Sequence, residues 1–318
     1  MEALVEKNKV SIKKDKTKFK KFKKGLYEGR HVYVILSPVI LYYLIFHYAP
    51  LYGILLAFKD YKPFIGIWGS PWVGFKNFTE FFESYYFVRL ITNTLALSIG
   101  NVIFSFPAPI ILALLLNEVR NRTFKRITQT ISYLPHFVST VVLIGILVEF
   151  LSTNGMFNTV IKMMGGEPLA FLGKPEYFRS IFITFHIWES VGWGAIVYLA
   201  ALSGIDPELY EAAMIDGANR WQQTLTITLP CLAPTIIILL ILQMGRIMNV
   251  GFEKVLLMQN NLNMETSDII STFVYRRGIL EGNFSFTTAI SLFNNVINFI
   301  LLVASNKISR KVTESSLW

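Results

Sequence analysis

The sequence predicts an all-α, polytopic integral membrane protein with six transmembrane helices. Three observations carry that reading. Only 16% of the 318 residues are charged, against about 25% in soluble domains. Mean hydropathy is positive, at +0.47. Six apolar runs also approach the length needed, about 20 residues to cross roughly 30 Å of hydrocarbon.

The first run, 32–57, is too long for the apolar region of a signal peptide and lacks a small-residue cleavage site, so it is expected to remain as a span. The residues before it, 1–30, read as a basic cytoplasmic tail with eleven Lys/Arg against four acids. Beside a span, its run 16–24 holds topology and touches anionic lipid. The net charge of +9 is therefore not read as a nucleic-acid footprint. The second run, 94–116, contains Pro107 and Pro109, which membrane helices tolerate when neighbours re-satisfy the freed backbone groups. The remaining runs are 131–151, 181–202, 233–250 and 288–305, the fifth being short and carrying Gln243 and Arg246. Residues 31–318 then form one membrane domain, without an internal repeat or an appended soluble domain. Between spans, Trp68, Trp72 and Phe75 suit an interfacial aromatic belt, and 155–164 suits a short surface helix.

Orientation follows from the basic residues. With the N-terminus inside, the inner segments carry 19 Lys/Arg and the outer ones 10. The bias places both termini in the cytoplasm.

No enzyme constellation emerges. The four histidines have no metal-ligand spacing, and Cys231 is alone, so neither a metal site nor a disulfide framework is expected. There is no phosphate-cradling glycine loop, hence no nucleotide site and no cofactor on this chain. A stand-alone membrane enzyme or receptor would need a catalytic cluster or a soluble domain, and neither is present.

The inner connection 203–232 is the informative one. Asp206 is a candidate N-cap, followed by Pro207 at the first helical position and Glu208 in the first turn. The helix runs through Ile215 to Gly217, which permits a sharp bend. Asn219 and Gln222 make a second capping box, and 221–229 leads to Pro230. On these features alone the segment is either a rigid knob of two short helices or an ordinary interfacial loop.

The residues are more specific. Glu211-Ala212-Ala213, Asp216-Gly217-Ala218, and Ile227 with Leu229-Pro230 resemble the EAA loop of ABC importer permeases. Thr224 departs from the pattern, where many members carry an aromatic residue. Residues 72–78 (WVGFKNF), Asn93-Thr94-Leu95 and the ending Ser315, Leu317, Trp318 are similar to the carbohydrate-uptake members, the LplB-like oligosaccharide permeases. The resemblance implies a type I ABC importer permease fold with coupling helices at about 206–230. It implies ATPase coupling through Glu211, Ala212, Ala213, Asp216, Gly217, Ala218, Leu229 and Pro230, with Glu211 meeting a basic residue and Asp216 and Gly217 shaping the bend. It implies as partners a cytoplasmic ABC ATPase dimer holding ATP and Mg, a second permease and an extracytoplasmic solute-binding lipoprotein. The setting implied is a prokaryotic plasma membrane, and the cargo an oligosaccharide; a peptide or amino acid is the alternative cargo.

Polar residues inside spans usually face a bundle interior or a water-filled cavity. Gln243, Arg246, Asn249 and Glu253 recur at helical steps in the fifth span, as do Thr287, Ser291, Asn294 or Asn295, and Asn298 in the sixth. His186, Glu189 or Ser190, and Trp193 do so in the fourth, where Trp188 is a further candidate. These stripes are candidate walls of a sugar path; the alternative is that they bond neighbouring helices or the partner subunit. Arg246 suits an acidic sugar or a salt bridge to Glu189 or Glu253.

Overall fold

A computed structural model describes residues 29–313 and Leu317. The basic run 16–24, nearly all of the tail, and Ser315 and Trp318 lie outside the described residues. Among the described residues the secondary structure is helical, apart from one isolated bridge between Lys59 and Trp72. Six segments are long and apolar enough to cross a membrane: Arg30–Phe58, Phe87–Glu118, Thr140–Met163, Pro175–Ser203, Arg220–Met244 and Phe284–Lys311. They overlap the six expected runs.

The chain forms two compact units, one ending at Leu55 and one beginning at Leu56. The first contains the helix from Arg30, whose aromatic rings pack at four-residue steps in tilted pairs. Tyr42 meets Phe46 at 5.2 Å and Tyr43 meets His47 at 4.9 Å between ring centroids.

In the second unit, several spans are interrupted, and the sequence supplies the reasons. Pro107 has no N–H to donate; the preceding turn Asn101–Ser105 opens into a π-helix, with the Phe106 N–H reaching back to the Asn101 carbonyl at 2.9 Å. The third expected run is not one helix. Arg122–Tyr133 ends in a tight turn, Leu134–Phe137, that holds Pro135. Ser139 then caps a new helix, Thr140–Leu151, by accepting from Val142 N at 3.4 Å. Those 12 residues reach only about 18 Å, so the crossing needs the earlier helix too. Packing supports that continuity. Leu143 and Ile144 lie on Phe178 and Phe182 near the start of the fourth span. Further along that span, Gly192 meets the Ser132 carbonyl so closely that a Cβ there would overlap it. The surface helix is separate, at Met156–Met163, and is held by Asn158, which bonds the Ser152 and Leu169 carbonyls at 2.8 and 2.9 Å.

The connection 251–287, expected on the outer side, is not an open loop: it folds into short helices that pack on the bundle. Its short helices bury Val255, Met258, Ile269, Ile270 and Phe273 among residues of the spans. The polar anchor is Asp268, whose side chain is 0% exposed and is met by Arg89 at 3.1 Å and Arg276 at 2.9 Å. Asn93 donates to the Glu265 and Asp268 carbonyls at 2.8 and 3.1 Å and accepts from Arg179 at 2.9 Å. Thr94 accepts from Ile270 N at 3.1 Å. The Asn93-Thr94 pair thus clamps this segment to the second span. The segment 72–78 acts similarly: Asn77 is buried and donates to the Ala57 and Lys59 carbonyls at 2.9 and 3.2 Å, while Phe58 stacks on Trp72. Trp68, Trp72 and Phe75 remain exposed, as an interfacial belt requires.

Replacing Asp268 with Ala leaves two guanidinium groups without their carboxylate. The expected cost is about 3–5 kcal/mol, seen as a lower thermal midpoint of the detergent-purified protein. An unchanged midpoint removes this carboxylate from the list of structural anchors.

Candidate functional site

The fifth span sets the site. Its helix, Leu229–Met244, ends earlier than the expected run, at the Gly245 cap, and 245–251 is unwound. Backbone groups freed inside a bundle need partners, and two neighbouring spans supply them. Asn298, near the middle of the sixth span, accepts from Met248 N at 3.0 Å. Ser98 of the second span donates to the Ile247 carbonyl. Asn294 donates to the Asn249 side chain at 3.0 Å.

A cavity of about 640 Å³ opens beside this break. It lies where three spans are irregular. The π-turn of the second span contributes Asn101 and Ser105, the tight turn of the third contributes His136, and the unwound end of the fifth contributes Arg246 and Asn249. The fourth span completes the wall with His186, Ser190 and Trp193. Trp193 stacks on His136 at 4.4 Å with 10° between the planes, and Phe137 meets Trp193 edge-on. Lys254 donates to the Glu189 carboxylate and lies 3.1 Å from His186 Nδ1. Glu189 sits behind the wall, nine-tenths buried. Ring faces, amides and hydroxyls converge on one volume; no group of three or more His, Cys, Asp or Glu placed to hold a metal occurs among the described residues.

The three polar stripes fare differently. Gln243, Arg246 and Asn249 line the cavity, although only Gln243 lies on the helix. Glu253 does not line it: the helix it belongs to, Phe252–Met258, is separate, and Glu253 is exposed elsewhere. The expected single face of the fifth span is therefore broken after Met244. In the sixth span, Asn294 and Asn298 are buried bonding partners of the unwound segment, Asn295 is exposed on the other side, and neither Thr287 nor Ser291 lines the cavity. In the fourth, His186, Ser190 and Trp193 face in while Trp188 points away, 51% exposed. Arg246 pairs with neither Glu189 nor Glu253.

Several lining residues escaped the sequence reading. Ser98, Asn101 and Ser105 form a stripe at helical steps in the second span, visible by the same logic used elsewhere. His136 and Lys254 carry no such signal, because one sits in a tight turn and the other on a short helix after a break.

The knob of two short helices is present. Asp206 caps Pro207–Ile215, accepting from Glu208 N at 3.0 Å. Ala218 N then donates to the Ala213 carbonyl across Gly217, whose φ of +79° places it in the left-handed region. The Asn219–Gln222 capping box forms with both bonds, at 3.0 and 2.8 Å. The second short helix is not a separate piece: Arg220–Met244 is continuous, with a π-turn beginning at Thr224 and Pro230 in the first turn of its last section. Tyr210 and Thr228 join the two helices at 3.0 Å, and Gln223 donates to the Ala218 carbonyl. Glu211, Ala212, Asp216, Gly217 and Pro230 are exposed; Ala213, Ala218 and Leu229 are half-buried. Around them Met214, Ile215 and Trp221 are 52%, 87% and 70% exposed, apolar side chains left uncovered by the described residues.

Residues 105–314 match the family of binding-protein-dependent transport system inner membrane components. The chain is 46% identical to Protein LplB of Bacillus subtilis (strain 168), over 92% of this chain and 93% of that protein. It is 42% identical to the polygalacturonan/rhamnogalacturonan transport system permease protein YteP of the same organism, over 97% and 96%. Among solved structures it matches a chain of a bacterial alginate ABC transporter in complex with an alginate pentasaccharide-bound periplasmic protein. That match has a TM-score of 0.87 and 41% identity, covering 92% of this chain and 99% of that one.

Changing Asn298 to Leu removes the acceptor for Met248 N and leaves that amide buried and unpaired, at a cost of about 1–3 kcal/mol. Hydrogen exchange of peptides spanning 245–251 is expected to accelerate in the variant. Exchange at the wild-type rate means that Asn298 does not hold the break in place.

Proposed function

We propose a transport role from one premise: the chain belongs to the family of binding-protein-dependent transport system inner membrane components. It is the membrane-spanning permease subunit of an importer, and its cargo is an oligosaccharide. The observation that carries the cargo reading is the cavity at the broken spans, with the Trp193–His136 stack on one side and the amides and hydroxyls of Asn101, Ser105, Gln243 and Asn249 around it. Sugars present apolar ring faces to aromatic groups and hydroxyls to amides. The printed functions of the similar polygalacturonan/rhamnogalacturonan and alginate transport proteins support the same class.

ATP hydrolysis, with its Mg, then belongs to a separate cytoplasmic ATPase dimer. The exposed knob is the surface offered to it: Glu211 supplies charge, Met214, Ile215 and Trp221 supply apolar contact, and Asp216 with Gly217 holds the bend. A second permease completes the translocator and a solute-binding lipoprotein delivers cargo outside. The Lys/Arg bias supports cytoplasmic termini in a prokaryotic plasma membrane. A peptide or amino acid cargo is the competing reading, and the stacked aromatic wall favours the sugar.

The test is the complete transporter, with its binding protein, in proteoliposomes. Oligosaccharides are expected to stimulate ATP hydrolysis and peptides are not; the reverse pattern would falsify the cargo assignment. In the same system, Glu211→Lys reverses a docking charge and is expected to lower uptake about tenfold or more. Gly217→Pro, which cannot adopt a positive φ, is expected to do likewise while the spans stay folded. Wild-type uptake in both variants removes the knob from the coupling role.

A further inference from the structure

We infer that the cargo of this cavity is anionic: a uronate-bearing oligosaccharide whose carboxylate is seated by Arg246. The inference rests on the sugar-permease reading and narrows it.

The charges that line the cavity are of one sign. Arg246 and Lys254 contribute cations and His136 and His186 contribute imidazoles, while no Asp or Glu is among the lining residues. The two cations are not equivalent. Lys254 is balanced by Glu189. Arg246 makes no side-chain hydrogen bond or ion pair among the described residues, and its side chain is exposed. An arginine within a membrane bundle is expensive and is normally paired or turned to a water-filled path. Here it is carried on an unwound segment whose backbone is fixed at the two following residues by Asn298 and Ser98, so the base of its side chain is placed beside the cavity before any cargo arrives.

A carboxylate suits this group better than a neutral sugar does. The guanidinium fork offers two parallel donors to the two carboxylate oxygens. A neutral sugar could use the Trp193–His136 stack and the amides, but it would leave the Arg246 charge uncompensated when it displaced water from the cavity. The volume of about 640 Å³ falls within the 300–1,000 Å³ or so of ligand pockets, room for a sugar beside the guanidinium. The cavity therefore selects for charge as well as for ring shape.

The experiment is equilibrium binding of labelled trigalacturonate to the assembled permease–ATPase complex in nanodiscs. Omitting the binding protein keeps its selectivity out of the result. The comparison ligand is the same trisaccharide with its carboxylates reduced to alcohols, and a sulfated trisaccharide reports whether any anion suffices. Wild-type complex is expected to bind the uronate about tenfold or more tighter than the reduced sugar, the scale of one charge-assisted hydrogen-bonded pair. Arg246→Gln is expected to erase that difference while leaving the reduced sugar within about twofold, and Arg246→Lys to keep part of it. Wild-type preference for the reduced sugar, equal binding of the two, or equal losses in Arg246→Gln overturns the inference. A sulfated sugar binding as tightly as the uronate overturns the carboxylate assignment. If Arg246→Gln fails to assemble, Arg246→Lys and the comparison of ligands on the wild-type complex decide: a partial or full loss of the uronate preference in Arg246→Lys supports the seat, and an undiminished preference overturns it. Binding of the reduced sugar alone leaves the sugar-permease reading standing, whereas binding of no sugar brings both down.

Discussion

Within hydrocarbon, every backbone N–H and C=O must find a partner inside the protein. The fifth span can stop at Met244 only because Asn298 and Ser98 take over the backbone bonds that helix would have made. Everything central to the site depends on that exchange. The break turns Arg246 and Asn249 toward the cavity, and it ends the helical face that would otherwise have carried Glu253 into it. The irregular turns of the second and third spans, caused by Pro107 and Pro135, face the same volume. Three departures from regular helix therefore converge on one space, which three regular helices would have filled with side chains.

The end of the second unit that holds 251–287 is fastened differently. A buried carboxylate with two arginines is poor value for stability alone, since desolvating three charges offsets much of their attraction. Asp268 instead specifies where a chain of short helices lies, and Asn93 and Thr94 fix its backbone to the second span. Segment 251–287 becomes part of the wall of the bundle. The knob has the opposite character: it is held by its own caps and by Tyr210–Thr228, and among the described residues its apolar side chains are left exposed.

The spans and the knob were legible because each rests on local rules. A run of about 20 apolar residues has few alternatives, and the Asp206 and Asn219 caps act within three residues of themselves. The inward packing of 251–287 was not legible, because its polar anchor, Asp268, meets Arg89 across 179 positions and nothing near Asp268 announces that contact. The sixth-span asparagines show the limit of stripe reasoning. Their spacing identified a polar face correctly, but a face that bonds a neighbour's broken backbone and a face that meets cargo look alike in one dimension. The third-span break had local signals, Pro135 and Ser139, which an unbroken apolar count between 131 and 151 overrode.

The continuity of Arg220–Met244 has a mechanical consequence. The segment is 25 residues long, an arm of roughly 37 Å at 1.5 Å per residue, with no loop between the knob and the unwound end but with two places where it can bend, the π-turn at Thr224–Thr228 and Pro234. A tilt of about 5° at one end displaces the other by about 3 Å over that length, comparable to a hydrogen-bond distance. Arg246 is two residues beyond the tip. Torque on the knob that is not absorbed at those two bends reaches the residues beside the guanidinium, and the grip on a bound anion is then coupled to the angle of this helix.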